Sequence, residues 1–169
     1  LNEPSATNLV PNSQDPVTWG KTEITAESQR AVSPIVGADV AKAIPTTANA
    51  GHYISPVTVS DQPVGNFTFS VFCKEAGYPV ARLRYASEGG GGVVDWDLLT
   101  GEVVDTAGGS LIGYGQEEYP DGWWRLWVVV EQTGTPSNRG TQIYVGDGTS
   151  FAFPGDGVNG ILVAGAQIE

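Results

Sequence analysis

The sequence predicts an all-β protein made of two antiparallel sheets packed as a sandwich, and three observations carry that prediction. Several stretches alternate with period two, which sends successive side chains to opposite faces of a strand. They are separated by turn chemistry, in a chain that holds Gly 23 and Pro 11 among its 169 residues. Their spacing is close to that of a sandwich, and no internal repeat of solenoid length is visible. At this length the expectation is a single domain, residues 1–169, with residues 1–20 as an extended opening segment.

Taken in chain order, Ala38 to Ile44 has enough Ala and Lys for a turn or two of helix, which Pro45 would close. His52 to Val59 reads as a strand. In Asn66 to Cys73, the residues Phe67, Phe69, Val71 and Cys73 share one face and Thr68 and Ser70 the other, with Phe72 out of pattern on the polar face. Further strands are expected at Val80 to Ala86, Val93 to Leu98, Glu102 to Asp105, Trp123 to Glu131, Gln142 to Val145 and Gly160 to Ile168. Gly89 to Gly92 is expected to be a flexible hairpin loop. Thr100-Gly101 stands at hairpin distance between two β-rich runs, and Asp121-Gly122 and Asp147-Gly148 supply residues that tolerate positive φ. The predicted core is Phe67, Phe69, Val71, Trp96, Leu98, Trp124, Leu126 and Val128.

The charge balance narrows the partners. Eight Lys and Arg face nineteen Asp and Glu, a formal net charge of −11, which repels nucleic-acid phosphates and anionic lipid. The longest apolar run, near Trp123 to Val130, is broken by Arg125 and falls far short of a membrane span. The chain opens at Leu1 and shows no basic stretch followed by an apolar run, so it reads as a fragment without a signal peptide. A lone cysteine, Cys73, excludes an internal disulfide within the chain and is expected to be a buried, inert thiol.

Catalytic signatures are weak. The single histidine, His52, has no nucleophile motif to serve, and Gly-x-Ser-x-Gly is absent. No Gly-Lys-Ser/Thr follows the glycine run, so it does not read as a phosphate loop. Asp95 with Asp97, and Glu117 with Glu118, are carboxylate pairs of the kind glycosidases use, but in so acidic a chain a solvated face explains them better. No calcium-loop motif is present, and neither a metal nor another cofactor is assigned.

The most informative segment is Trp123-Trp124-Arg125-Leu126-Trp127-Val128-Val129-Val130-Glu131. Trp124, Leu126, Val128 and Val130 form one continuous apolar row suited to the core. The opposite row, Trp123, Arg125, Trp127, Val129 and Glu131, mixes aromatics with charge. That mixture suits a wet contact surface, where rings stack on sugar faces and charged groups bond hydroxyls. Arg82 and Arg84 share a strand face, as do Asp95 and Asp97, so these four are expected either to help bind a ligand or to pair with one another across strands.

A series of short blocks in order carries a resemblance over essentially the whole chain. Glu3-Pro4-Ser5-Ala6-Thr7-Asn8-Leu9-Val10 with Asn12-Ser13-Gln14-Asp15 and Trp19 comes first. Gly51-His52-Tyr53-Ile54-Ser55, Phe67-Thr68-Phe69-Ser70-Val71, Asp97-Leu98-Leu99-Thr100-Gly101-Glu102-Val103 and Gly122-Trp123-Trp124-Arg125 follow. Gly146-Asp147-Gly148-Thr149-Ser150 through Gly165-Ala166-Gln167-Ile168-Glu169 closes the chain. Together they resemble a carbohydrate-binding-like jelly-roll module of phage tail fibres and other virion proteins. Two positions depart from its pattern: Ala164 stands where an aromatic is usual, and Trp127 where a small residue is usual.

The resemblance implies a jelly roll carried on a virion, outside the cell, beside other virion proteins. The function expected is non-catalytic binding of a host surface glycan, through Trp123, Arg125 and Trp127 helped by Arg82, Arg84, Asp95 and Asp97. The alternative is a purely structural virion protein, such as a capsid decoration or fibre subunit; a small glycoside-cleaving enzyme comes third. Two Trp residues off the core face lead to the expectation of a homo-oligomer, with a trimer as the guess.

Overall fold

The structure is a computed structural model that describes residues 8–10, 12–59, 64–87, 90–134 and 139–169. Most of the opening stretch of the first resemblance block, up to Thr7, and Gly89 of the expected glycine loop lie outside the described residues. The strands run β1 (Gly20–Thr22), β2 (Ile24–Gln29), β3 (Val40–Pro45), β4 (Ala50–Gly51), β5 (Tyr53–Val59), β6 (Gly65–Ala76) and β7 (Val80–Ser87). They continue with β8 (Gly90–Asp97), β9 (Val103–Ala107), β10 (Leu111–Tyr119), β11 (Trp123–Gln132), β12 (Arg139–Gly146), β13 (Ala152–Phe153) and β14 (Gly160–Ile168).

Two six-stranded antiparallel sheets form a jelly-roll β-sandwich. The first sheet has the order β1-β5-β12-β7-β8-β9 and the second β10-β11-β6-β14-β3-β2, while β13 and β4 make a small ribbon. Between the sheets lies one apolar core. Phe67, Phe69, Val71, Leu126 and Val128 enter it from the second sheet, and Leu83, Val94, Trp96 and Leu98 from the first strand set. Trp124 joins it only half-buried, its indole Nε1 donating across the sandwich to the Leu98 carbonyl at 3.0 Å. Cys73 is buried in the core, and loss of solvation pushes its thiol far above the ordinary range, so it is inert as expected.

The ends of the chain meet. Asn8 donates through Nδ2 to the Ala166 carbonyl at 3.0 Å and accepts from the Ile168 N–H at 3.1 Å, while the Leu9 N–H donates to the Ile168 carbonyl at 3.0 Å. The Ala166 N–H donates to Ser13 at 3.1 Å. The first and last blocks of the resemblance are therefore one structural unit. Trp19 is buried behind them, with its Nε1 on the Asn12 carbonyl at 3.1 Å.

Two local expectations are corrected. Ala38 to Ile44 is no helix: β3 runs through Val40–Pro45, paired with β14 on one side and β2 on the other. Helix propensity there is worth tenths of a kcal/mol per residue, roughly, and the burial of Val40, Ala41, Ala43 and Ile44 between two strands outweighs it. Pro45 ends the segment in either case. Gly90, Gly91 and Gly92 are not a loop but the start of β8. Glycine is needed there for close approach, since a Cβ on Gly92 would stand 2.7 Å from Val130 Cγ1 and one on Gly91 2.5 Å from the Tyr85 carbonyl oxygen.

Candidate functional site

The expected site residues divide between the two outer faces of the sandwich. Arg82, Arg84, Asp95 and Asp97 belong to β7 and β8 in the first sheet, whereas Trp123, Arg125 and Trp127 belong to β11 in the second. Both sets point away from the shared core, so they face opposite directions and cannot act on one ligand. Alternation along a strand reports which face a residue takes but not which sheet the strand joins.

On the first sheet the charges pair with one another. Register sets Arg82 opposite Asp95, and the guanidinium grips the carboxylate with two bonds, Nε to Oδ1 at 2.7 Å and Nη2 to Oδ2 at 2.8 Å. The same guanidinium lies 3.9 Å from the centre of the Phe151 ring. Arg84 donates to Gln142 Oε1 at 3.0 Å, beside Tyr144. Asp97 accepts from the Leu99 and Thr100 N–H groups at 2.7 and 3.2 Å and so caps the turn into β9. A depression of about 250 Å³ opens beside Arg82, Asp95, Asp105 and Phe151, rimmed by Thr149 and Ser150. Burial raises the carboxyl of Asp147 behind that rim, but N–H donation from Thr149 and Ser150 outweighs it and holds the group below its ordinary value.

Cross-strand pairing accounts for this arrangement without a ligand. Replacing Arg82 with alanine should cost about 2–3 kcal/mol in urea unfolding, because Asp95 would stay buried without either bond. A loss under about 0.5 kcal/mol would show that water replaces the guanidinium.

The second face differs, and Trp123 is the main correction. It points outward as the alternation requires, yet it is only 2% exposed. Phe72, the residue out of pattern in its own strand, forms with Trp123, Val40 and Ala164 a second small core outside the sheet. Ile35, Tyr119 and Leu162 pack against that cluster, so Trp123 offers no ring to a ligand. Trp127 is half-buried, its indole laid on Gly115 of the neighbouring edge strand, where a Cβ would stand 2.3 Å from Cζ2.

Arg125 sits between the two tryptophans on this outer row. Among the described residues its guanidinium makes no hydrogen bond or ion pair, and its Nε is shut off from solvent without a partner. It lines a groove of about 210 Å³ with Gln14, Ile35, Phe72, Tyr119 and Gln167. The groove exists because β14 bulges between Ala164 and Ala166, where Gly165 adopts φ +39°. A side chain on Gly165 would collide with Ile35, at 2.3 Å from Cδ1. The bulge lets Ile35 close one wall, and the opening segment brings in Gln14.

Gln14, Tyr119 and Gln167 were absent from the sequence-derived site. Gln14 and Gln167 stand in the first and last blocks of the resemblance, whereas Tyr119 lies in none of them. Among the described residues, no hydrogen bond engages the side chains of Gln14, Gln167 or Tyr119; Tyr119 meets Phe72 edge-on at 5.0 Å.

Among the described residues, the side chains considered for catalysis are tied down or set apart. Both ring nitrogens of buried His52 are tied to backbone carbonyls, those of Glu23 and Phe153. Register sets Glu117 on the outer face opposite Arg125 and Glu118 on the face of Trp124, so this carboxylate pair is split. Among the described residues, no three His, Cys, Asp or Glu side chains are grouped to hold a metal.

No protein-family model matches the chain, and no curated protein matches it in sequence. Solved structures do match in fold. The enzymatically active domain of tailspike protein 4 from bacteriophage CBA120 aligns with a TM-score of 0.54 and 14% identity, over 95% of this chain and 21% of that one. The carbohydrate-binding and catalytic modules of xylanase 10B from Clostridium thermocellum, complexed with xylohexaose, align at 0.49 and 14% identity, over 94% of this chain and 27% of that one. A carbohydrate-binding module of Cellvibrio mixtus lichenase 5A in complex with cellotriose aligns at 0.42 and 12%, over 88% of each chain. The tailspike likeness is one of fold, and this chain spans about a fifth of that protein's length.

Proposed function

We propose that this chain is a non-catalytic glycan-binding module of a virion appendage, acting outside the cell on a host surface glycan, and that the Arg125 groove is its binding site. The observation that carries the reading is the ring of Gln14, Tyr119, Arg125 and Gln167 around a cavity the size of one sugar ring. Among the described residues their side-chain polar groups hold no hydrogen bond, and hydroxyl groups of a sugar satisfy amide, phenol and guanidinium alike. Phe72 and Ile35 supply apolar walls, and Trp127 extends the surface along the same strand row. The likeness of fold to a tailspike domain, and to proteins solved with oligosaccharides, supports the same direction. The ties on His52, Asp95 and Asp97 support a binding role over a hydrolytic one.

On a glycan array, Gln167→Ala and Trp127→Ala should each lose about tenfold or more of the wild-type signal while the fold survives. Arg84→Ala, on the opposite sheet, should leave the signal unchanged. Equal losses from all three, or none from the first two, would refute the site.

A second reading, the structural virion subunit, draws on a different observation. Val104 on β9 and Ile112 and Tyr114 on β10 are exposed, and these are edge strands of the two sheets, free to meet a second copy. A homo-oligomer, with a trimer as the first expectation, would cover them. Light scattering on the array sample tests it: a purely monomeric mass at high concentration removes the oligomer.

A further inference from the structure

We infer that the Arg125 groove selects acidic sugars, with the guanidinium receiving the carboxylate of a uronic or sialic acid residue; this rests on the glycan reading of the same groove. A neutral sugar would satisfy the amides and the phenol, but the electrostatics of Arg125 ask for more. Among the described residues its guanidinium has no hydrogen bond or ion pair although it lines the groove, so a permanent cation stands there without a counter-charge. Unpaired charge at a half-buried position is costly, and proteins ordinarily answer it with a carboxylate, as this one does for Arg82. Glu117 stands across the strand pair from Arg125 on the same face, and it does not form an ion pair with it. The acceptor that Arg125 lacks is thus left for a ligand to bring.

The geometry of the two arginines makes the contrast concrete. Arg82 presents Nε and Nη2 as a fork that holds both oxygens of Asp95. A ligand carboxylate in the groove would meet the Arg125 guanidinium from the groove side and supply the counter-charge it lacks, while Nε, closed to solvent, is closed to the ligand as well. Gln14, Gln167 and Tyr119 would then meet the ring hydroxyls, and Phe72 and Ile35 its apolar face.

The net charge of −11 does not forbid an anionic ligand. Screening at physiological salt acts over about 8 Å, so distant acids contribute little and the local cation decides. The general repulsion instead sets a requirement that the carboxylate reach Arg125 directly, which a sugar seated in the groove does.

The test is an NMR titration of the whole chain with matched sugars differing only at the acid group. Methyl glucuronoside is set against methyl glucoside and methyl galacturonoside against methyl galactoside, with N-acetylneuraminate against its carboxyl-reduced form. The wild type should prefer the acidic member of at least one pair by about tenfold, the ratio expected from one charged hydrogen-bonded contact. Arg125→Gln should abolish the preference while keeping residual binding of the neutral member, and Arg125→Lys should restore part of it. Equal binding within every pair would overturn the inference and leave the glycan reading intact. No binding by any sugar, acidic or neutral, would overturn both. Should Arg125→Gln fail to fold, the wild-type preference decides, since its absence alone refutes acid selection.

Discussion

Replacing Trp123 with alanine is expected to destabilise the protein by about 3–5 kcal/mol, the cost of emptying a large buried aromatic site. The ring is 2% exposed and sits at the centre of the outer cluster with Phe72, Val40 and Ala164. Its loss leaves a cavity whose walls are strands β3, β6 and β14, already fixed by their pairing, so collapse is limited. Ile35 and Tyr119 would also lose their support, and both line the groove. Trp123→Ala should therefore weaken glycan binding through misfolding of the wall. Trp127→Ala, half-buried on Gly115, should cost less in urea unfolding and act mainly on binding. Similar unfolding midpoints for the two variants would show that the outer cluster is not a packed core.

Gly101→Ala is expected to cost about 3 kcal/mol or more for two reasons that add. Gly101 ends the β8–β9 hairpin at φ +75°, a conformation that strains a residue bearing a Cβ by about 1–2 kcal/mol. The new methyl would also stand 2.2 Å from Cη2 of Trp124. That ring is rigid and is held by its bond to the Leu98 carbonyl, so it cannot move without breaking a contact between the sheets. Gly109→Ala is the control, because nothing lies within 4 Å of its Cβ position and its φ is ordinary. It should change stability by less than about 0.5 kcal/mol. Equal effects at both positions in thermal unfolding would refute the packing of Trp124 on the hairpin.

The strands with a clean apolar face were legible in the sequence. β6, β11 and β14 alternate against the core, and the expected core residues lie on β6 and β11, with Trp96 on β8 and Leu98 just after it; Trp124 alone is only half-buried. Edge strands were less legible: β9 was expected, as Glu102 to Asp105, but β1, β2 and β10 were not. β10 carries Gly113, Gly115, Gln116, Glu117 and Glu118, an unpromising strand whose glycines are fixed by Val129 and Trp127 across the ladder. β2 is polar for the same edge-strand reason, and β3 was hidden by helix-favouring residues.

The site shows the same division. The outward row of β11 was read in its true direction, but outward proved not to mean exposed. Phe72, the residue out of pattern on β6, is what covers Trp123, and that pairing depends on a strand contact distant in sequence. Arg82 and Asp95 followed the cross-strand pairing that their spacing allowed. The bulge at Gly165, which assembles Gln14, Arg125 and Gln167, leaves no periodic trace in the sequence.

The most direct test of the account maps where a bound sugar touches the protein. With a glycan from the array that binds, chemical-shift changes are predicted at Gln14, Tyr119, Arg125, Trp127 and Gln167, with Arg82, Tyr144 and Phe151 unmoved. Shifts confined to Arg82, Asp105, Tyr144 and Phe151 would contradict the account and place the site on the opposite sheet.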